Sequence, residues 1–281
     1  MELINDPKTM QARSSQLKKD GQKIIFVPTM GGLHQGHLSL VKRGKDLGRI
    51  VVMSIYLNPT QFASGEDLST YPTALEEDLE KAKNAGVNII FCPTDKSMYP
   101  ENFQTSVDTN EISKGLCGKK RPEHFRGVTT IVLKLFNIVK PDIAIFGEKD
   151  YQQLKVIKKM VEDLNVDVEI FGAPIVREED GLAMSTRNSY LDPTERMAAR
   201  SVNESLQRAK SAVQNGEKNI DKIISDIKLH IESTGVGKID YIKICDPDSL
   251  KELSSLKPPA ILAVAAHFGK ARLIDNCILD K

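Results

Sequence analysis

Residues 23–40 read KIIFVPTMGGLHQGHLSL. An apolar run from Lys23 to Thr29 breaks into Gly31-Gly32, then into His34-Gln35-Gly36-His37. Such a run has the length and branched side chains of a buried strand, and the glycines mark a turn. Leu38, Val41 and Leu47 then stand among polar residues, which predicts a helix from about Gly36 to Leu47. Residues 50–56 are a second buried strand. Ala74 to Ala85 is charged and helical, with Gly86 in a C-cap position. Residues 88–92 give a third strand, stopped by Pro93. After a stretch punctuated by Pro and Gly, residues 128–139 predict a buried helix, 142–146 a strand, Tyr151 to Asp163 a helix and 166–171 a strand. This alternation predicts an α/β protein whose parallel sheet carries helices on its faces. The texture changes after Val176. Two helices within 193–233, joined around Asn215-Gly216, precede strands at 238–245, 260–266 and 271–278. The expectation is a larger domain over 1–176 and a smaller α+β C-terminal domain over 177–281. The polar segment Arg177 to Gly181 links them.

Composition narrows the function. The chain has 281 residues, with 39 Lys+Arg against 38 Asp+Glu, a net charge of +1. A hydrophobic content of 40% at that charge excludes disorder as the main state. A near-neutral balance argues against nucleic acid as a partner. Apolar runs such as Ile261–Ala266 fall far short of the ~20 residues that span a bilayer, so no membrane association is expected. Met1 to Asp6 lacks the basic start and apolar core of a secretory leader. Cys92, Cys117, Cys245 and Cys277 stand far apart, as reduced thiols of a cytoplasmic protein would.

Four constellations carry chemistry. The first is the turn Met30 to His37. Open α/β sheets bind ligands at this end of their strands, and glycines before a helix N-terminus suit anions. Gly31 and Gly36 have P-loop spacing, but His37 and Leu38 stand where Lys and Ser/Thr belong, and GxGxxG is absent. His34 and His37 share a face if helical. No third ligand lies nearby for zinc, whereas imidazolium groups donate strongly to phosphate oxygens. The second is Asn58-Pro59-Thr60-Gln61-Phe62, after the second strand. Gln61 suits hydroxyl and carboxylate groups, although an ordinary Asn-Pro turn explains the peptide alone. The third is Gly147-Glu148-Lys149-Asp150-Tyr151-Gln152-Gln153, at the same sheet edge, where Lys149 could neutralise phosphate and Gln153 could orient a substrate. The fourth is Met184-Ser185-Thr186-Arg187-Asn188, at the domain junction, with Ser185 and the Arg187 fork suited to phosphate oxygens.

His34-Gln-Gly-His37 resembles the HIGH signature of the nucleotidyltransferase superfamily that includes class I aminoacyl-tRNA synthetases. Met184-Ser-Thr-Arg187 resembles its KMSKS-type segment. In order, PTMGGLHQGHLSLV, NPTQF, RPEHFRGV from Arg121, FGEKDYQQ and DGLAMSTRN resemble the pantothenate synthetase family, and Arg272-Leu-Ile-Asp-Asn276 fits it too. The likeness covers nearly the whole chain. Thr186 stands where the family usually has a second Ser, and Glu148 where Gln is also common.

The resemblance implies a Rossmann-like N-terminal domain, a C-terminal domain covering the site, and a homodimer. It implies that ATP, pantoate and β-alanine give pantothenate, AMP and pyrophosphate through a pantoyl adenylate, with Mg²⁺ accompanying ATP. It places Met30, Gly31, Gly32, Leu33, His34, Gln35, Gly36 and His37 at the nucleotide. Gly147, Glu148, Lys149, Asp150 and Val176 contact it too, and Met184, Ser185, Thr186 and Arg187 close over its phosphates. Gln61 and Gln153 hold pantoate, Gln61 also lying near β-alanine. His37, His34, Lys149, Ser185 and Arg187 are the expected charge stabilisers. The Mg²⁺ ligands are not identified; Asp78, in the acidic run Glu76-Glu77-Asp78, could reach Mg²⁺ directly or through water, although a solvated helix face explains the run equally well. His124 could assist pantoate or β-alanine, and His230 and His267 read as structural. The competing readings are a different small-molecule nucleotidyltransferase and a nucleotide sensor without turnover.

Overall fold

The structure is a computed structural model that describes residues 1–280. The first sheet collects β1 (Glu2–Ile4), β2 (Ile24–Thr29), β3 (Ile50–Ile55), β4 (Ile89–Phe91), β5 (Ile143–Gly147) and β6 (Glu169–Ala173). Its helices are α1 (Pro7–Lys19), α2 (Gln35–Leu47), α3 (Leu75–Ala85), α4 (Asp95–Met98), α5 (Leu116–Lys120), α6 (His124–Val139) and α7 (Tyr151–Asp163). The strand order is β1-β4-β3-β2-β5-β6, with every pairing parallel. The chain runs outward from β2 to β3 and β4, then returns to β5 on the other side of β2. That reversal opens a crevice beyond the C-terminal ends of β2 and β5, where such sheets bind ligands.

Strand residues alternate between two apolar layers. Ile25, Val27, Val51, Met53, Ile143 and Ile145 pack with Leu40 and Val41 of α2 and Ala82 of α3. Ile24, Phe26, Val52, Ala144 and Phe146 pack with Met10 of α1, Phe136 of α6 and Ile157 of α7. Both faces are covered, so the strands read as continuous apolar runs.

The second sheet is antiparallel, ordered β7 (Lys238–Cys245), β8 (Ala260–Phe268), β9 (Ala271–Leu279). Helices α8 (Pro193–Gln214) and α9 (Ile220–Glu232) cover one face, Leu206 and Ile227 packing with Ile244 and Leu262. Pro193 at the first turn and the reciprocal Asp192–Glu195 capping box fix where α8 starts. The other face points Tyr241, Ile261, Ala263 and Ile274 toward the first sheet. Ile261 and Ala263 pack there with Leu116 of α5. The chain is therefore a Rossmann-like α/β unit plus a smaller α+β unit. Among the described residues, no helix is long and apolar enough to cross a membrane.

Several elements differ from the sequence reading. β6 begins at Glu169, because Val166 and Val168 form the turn after α7 and pack into the core. Helix α6 begins one turn early, at His124. β1 and α1 were not anticipated, although Asp6 caps α1 by accepting from Thr9 N at 2.7 Å and Pro7 opens it.

Candidate active site

The turn after β2 is fastened by a carboxylate from another helix. Asp78, in the first turn of α3 and 1% exposed, accepts from Gly32 N at 2.8 Å and Leu33 N at 2.7 Å. Gly31 and Gly32 both have positive φ, +89° and +64°. A Cβ on Gly32 would meet the Pro72 carbonyl at 2.7 Å and the Thr186 side chain. The glycines therefore serve a tight turn against segments 72 and 186. One expectation changes here. The Gly32 and Leu33 amides point at Asp78, so they do not cradle phosphate. Each Asp78 oxygen takes one amide, which fastens the turn and leaves one lone pair on each oxygen.

Two histidines open α2. His34 is the N-cap, and its Nδ1 accepts from Gly36 N at 3.1 Å. His37 Nδ1 accepts from His34 N at 3.4 Å. The rings lie 4.1 Å apart, tilted by 31°. An Nδ1 that accepts from an amide carries no proton, so each neutral ring bears its hydrogen on Nε2. Both rings line the cleft. Burial pushes His34 down to about 4, with the Lys149 charge adding to it. Burial likewise pushes His37 down to about 3, with His34 and Lys149 adding to it. The expected imidazolium donors are thus neutral imidazoles near pH 7. Capping the helix and facing a ligand are not alternatives, because Nδ1 does the first and Nε2 is left for the second.

Two further strand ends complete the edge. After β3, Asn58 (1% exposed) donates through Nδ2 to Gln61 Oε1 at 3.0 Å. Gln61 Nε2 then faces Met30 Sδ at 3.1 Å, so the amide is oriented by its neighbours. A Cβ at Gly127 would stand 2.7 Å from Gln61 N and closer still to the Thr60 carbonyl, so only glycine lets α6 reach this turn. After β5, Lys149, Asp150 and Gln153 line the cleft. Asn276 of β9 holds that turn, Nδ2 donating to the Glu148 and Lys149 carbonyls at 3.0 Å each. Pro174 to Val176 and Met184 to Arg187 form the remaining wall, joined by Met184 N donating to Val176 O at 2.9 Å.

A second chamber adjoins the first beneath β7–β9. Arg121, His124, Arg272 and Asn276 line it, and Met30, Gln61, Lys149, Asp150, Gln153, Ser185 and Arg187 line both chambers. His124 Nδ1 donates to the Gln61 carbonyl at 2.8 Å, and Arg121 forks onto Glu66. Burial, then the Arg121 charge, pushes His124 down to about 4. Burial disfavours the Glu66 carboxylate, but its bonds and charge pairing with Arg121 hold it below its usual range.

The structure thus gathers Met30, His34, Gly36, His37, Gln61, Gly147, Lys149, Asp150, Gln153, Val176 and Met184 to Arg187 around one cleft. Gly31, Gly32, Leu33, Gln35 and Glu148 do not line it. Leu33 is buried in the α2–α3 core, Gln35 is exposed on α2, and Glu148 meets Asn276 through its carbonyl. His230 pairs with Glu204 at 2.9 Å between α8 and α9, and His267 is exposed on β8, both outside the cleft. The sequence reading missed Asp67, Tyr71 and Asn276 as parts of the site. Tyr71 lines the cleft beside Arg187. Only RLIDN, quoted as a motif, hinted at Asn276. Among the described residues, no three His, Cys, Asp or Glu side chains gather as a metal cage.

A sequence profile described as pantoate-beta-alanine ligase matches residues 2–278. The chain belongs to the pantoate-beta-alanine ligase family. It is a ligase, and its reaction joins pantoate to β-alanine. Pantothenate synthetase of Syntrophus aciditrophicus is 49% identical over 281 residues, covering 100% of this chain and 98% of that protein. That of Syntrophotalea carbinolica is 48% identical over 276 residues, covering 98% of each. The crystal structure of pantothenate synthetase from Thermus thermophilus matches all of both chains, with a TM-score of 0.94 at 39% identity. A pantoate-beta-alanine ligase from Francisella tularensis, described as complexed with beta-gamma ATP and beta-alanine, matches with a TM-score of 0.84 at 35% identity, covering 99% of this chain and 98% of that one.

Proposed function

We propose that this ligase activates pantoate as an adenylate at the junction of the two chambers. A carboxylate and an amine do not condense in water near neutral pH, because the carboxylate oxygen leaves poorly. Pantoate is held by Gln61 and Gln153, and ATP lies over the histidine turn. The pantoate carboxylate oxygen attacks the α-phosphorus, the α–β phosphoanhydride bond breaks, and pyrophosphate departs with its electron pair. His34 and His37 donate through Nε2, and Lys149, Ser185 and Arg187 add hydrogen bonds and charge, where negative charge accumulates. The neutral amine of β-alanine, entering from the second chamber, then attacks the acyl carbon. The bond to AMP oxygen breaks, AMP leaves, and the surplus amine proton passes to solvent. Positioning supplies much of the rate, since both steps join groups that one cleft holds together.

One observation carries this reading. Two histidines, one lysine and one arginine from three separate segments line the same cleft. No serine or cysteine nucleophile beside a base is needed. Magnesium enters with the ATP phosphates as part of the substrate. Asp150, a cleft carboxylate beside the histidines, is placed to face it. We also propose that residues 177–281 act as a lid over 1–176, supported by Arg187 paired with Asp67 at 2.8 Å and by Asn276 on the 148–149 turn. A cytoplasmic location is supported by four free thiols. A homodimer is supported by half-exposed Met1 and Leu3 at the edge strand β1. A monomer mass in solution would refute the dimer.

The experiment is pyrophosphate–ATP exchange with Mg²⁺ and pantoate but no β-alanine. Exchange that requires pantoate supports the adenylate. AMP formation only after β-alanine is added, with no exchange before it, refutes that order of steps. Retention of the nucleotide in the product would point to another nucleotidyltransferase.

A further inference from the structure

Arg187 is gripped along one edge by an acid from the other side of the cleft mouth. Its Nε and Nη2 donate to the two oxygens of Asp67 at 2.8 and 2.9 Å. Asp67 begins the 3-10 turn Asp67–Thr70 after β3, 120 residues before its partner. The Tyr190 hydroxyl lies 3.2 Å from the same carboxylate and 3.0 Å from the Thr70 carbonyl, sharing its proton between them. The Tyr71 ring lies under the guanidinium, with its centroid 5.3 Å from Cζ.

A guanidinium has five N–H donors in a planar fork. The grip from Asp67 uses Nε–H and one Nη2–H. The other Nη2–H and both Nη1–H bonds remain on the opposite edge, and among the described residues no protein group accepts from Nη1. Arg187 lines both chambers, so it borders the space beside His34 and Lys149. A free arginine samples many rotamers, and a forked carboxylate plus a ring beneath the fork removes most of that freedom.

We propose that Asp67 is a positioning residue, holding Arg187 by its Nε/Nη2 edge so that the Nη1 edge faces the triphosphate. The inference rests on the reading above that Arg187 meets ATP phosphates. Burial disfavours the Asp67 carboxylate, but its bonds and charge pairing with Arg187 hold its pKa below the ordinary value, so the pair stays ionised near neutral pH. The sequence-level expectation gave Arg187 a role but no partner, and the acid that orients it lies in a segment outside every motif.

The test is a cycle of Asp67→Asn, Arg187→Ala and the double variant, measured by steady-state kinetics and thermal unfolding. Asp67→Asn keeps the size of the side chain but loses the charge and one acceptor. The ATP KM should rise about tenfold, with pantoate KM within about twofold and the unfolding midpoint nearly unchanged. Asp67→Glu should recover part of the loss, because it restores a carboxylate. In the Arg187→Ala background, Asp67→Asn should change nothing further. An ATP KM unchanged by Asp67→Asn overturns the proposal, as does a loss repeated in full without Arg187. A lowered ATP KM also overturns it, because Asp67 would then compete with phosphate for the guanidinium. If Arg187→Ala itself leaves ATP kinetics untouched, the phosphate role of Arg187 fails first and this inference falls with it.

Discussion

Removing Asp78 tests how the histidine turn is held. In Asp78→Ala, the Gly32 and Leu33 amides lose their partners inside a region where Asp78 itself was 1% exposed. Each buried amide left unpaired costs about 1–3 kcal/mol, so the pair costs about 2–6 kcal/mol if the turn stays in place. Water entering the vacated space would bring the loss toward the lower figure. A fall of that size shifts the midpoint by roughly 5–20 °C for a chain of this class. Asp78→Asn is the sharper variant. It keeps the volume and one acceptor but turns an N–H donor toward a backbone N–H, so it should cost about 1–3 kcal/mol. The turn then shifts, and His34 and His37, which follow it directly, shift with it. A misplacement of about 1 Å can cost about 100-fold in rate. The assay pairs calorimetry with pyrophosphate–ATP exchange and a Mg²⁺ titration. Asp78→Asn should lower the midpoint and the exchange rate together while the Mg²⁺ requirement stays put. A normal midpoint with a raised Mg²⁺ requirement would refute the clamp and make Asp78 a metal ligand after all.

Three other outcomes follow from the same geometry. His37→Ala should lower kcat by about 10²–10³-fold with pantoate affinity within about twofold, and an unchanged turnover rate would sink its role at the leaving pyrophosphate. Acidification should destabilise the chain early. His34, His37 and His124 have folded pKa values pushed down to about 4, about 3 and about 4, from an ordinary 6.5. Their stabilisation is complete above pH 6.5 and is lost as pH falls toward those values, because the unfolded chain takes the protons first. Three such groups give a slope of up to about 4 kcal/mol per pH unit, and urea titrations showing equal stability at pH 7 and pH 5 would contradict it. Gly127→Ala should push the 59–61 turn away from α6, raising pantoate KM and lowering the unfolding midpoint. Normal pantoate kinetics in that variant would show that the Gln61 backbone has room to give.

Much of the fold is written in local pattern. The β2, β3 and β5 runs, their following turns and the helices α2, α3 and α7 were legible because strand and helix periodicity repeats within ten or so residues. The motifs were legible for a related reason. A parallel sheet sends every strand's C-terminal end to one edge, so the loops after β2, β3 and β5 must meet there. Val166 and Val168 misled because apolar character marks burial and does not separate a strand from a packed turn. β1 was missed because three residues carry almost no period, although the Asp6-Pro7 cap of α1 was available to be read.

The sequence by itself determined the alternating architecture, the edge that carries the chemistry, and the residue types available there. Tertiary structure alone decided what those residues are able to do. It made Asp78 the anchor of a glycine turn. By giving each Nδ1 an amide, it made His34 and His37 neutral donors through Nε2. It also paired Arg187 with Asp67 and set Asn276 on the 148–149 turn. Each of those facts joins groups through a specific hydrogen bond, and most join segments dozens of residues apart. Local periodicity reports burial and chain direction, but it holds no information about which distant donor a buried acceptor will meet.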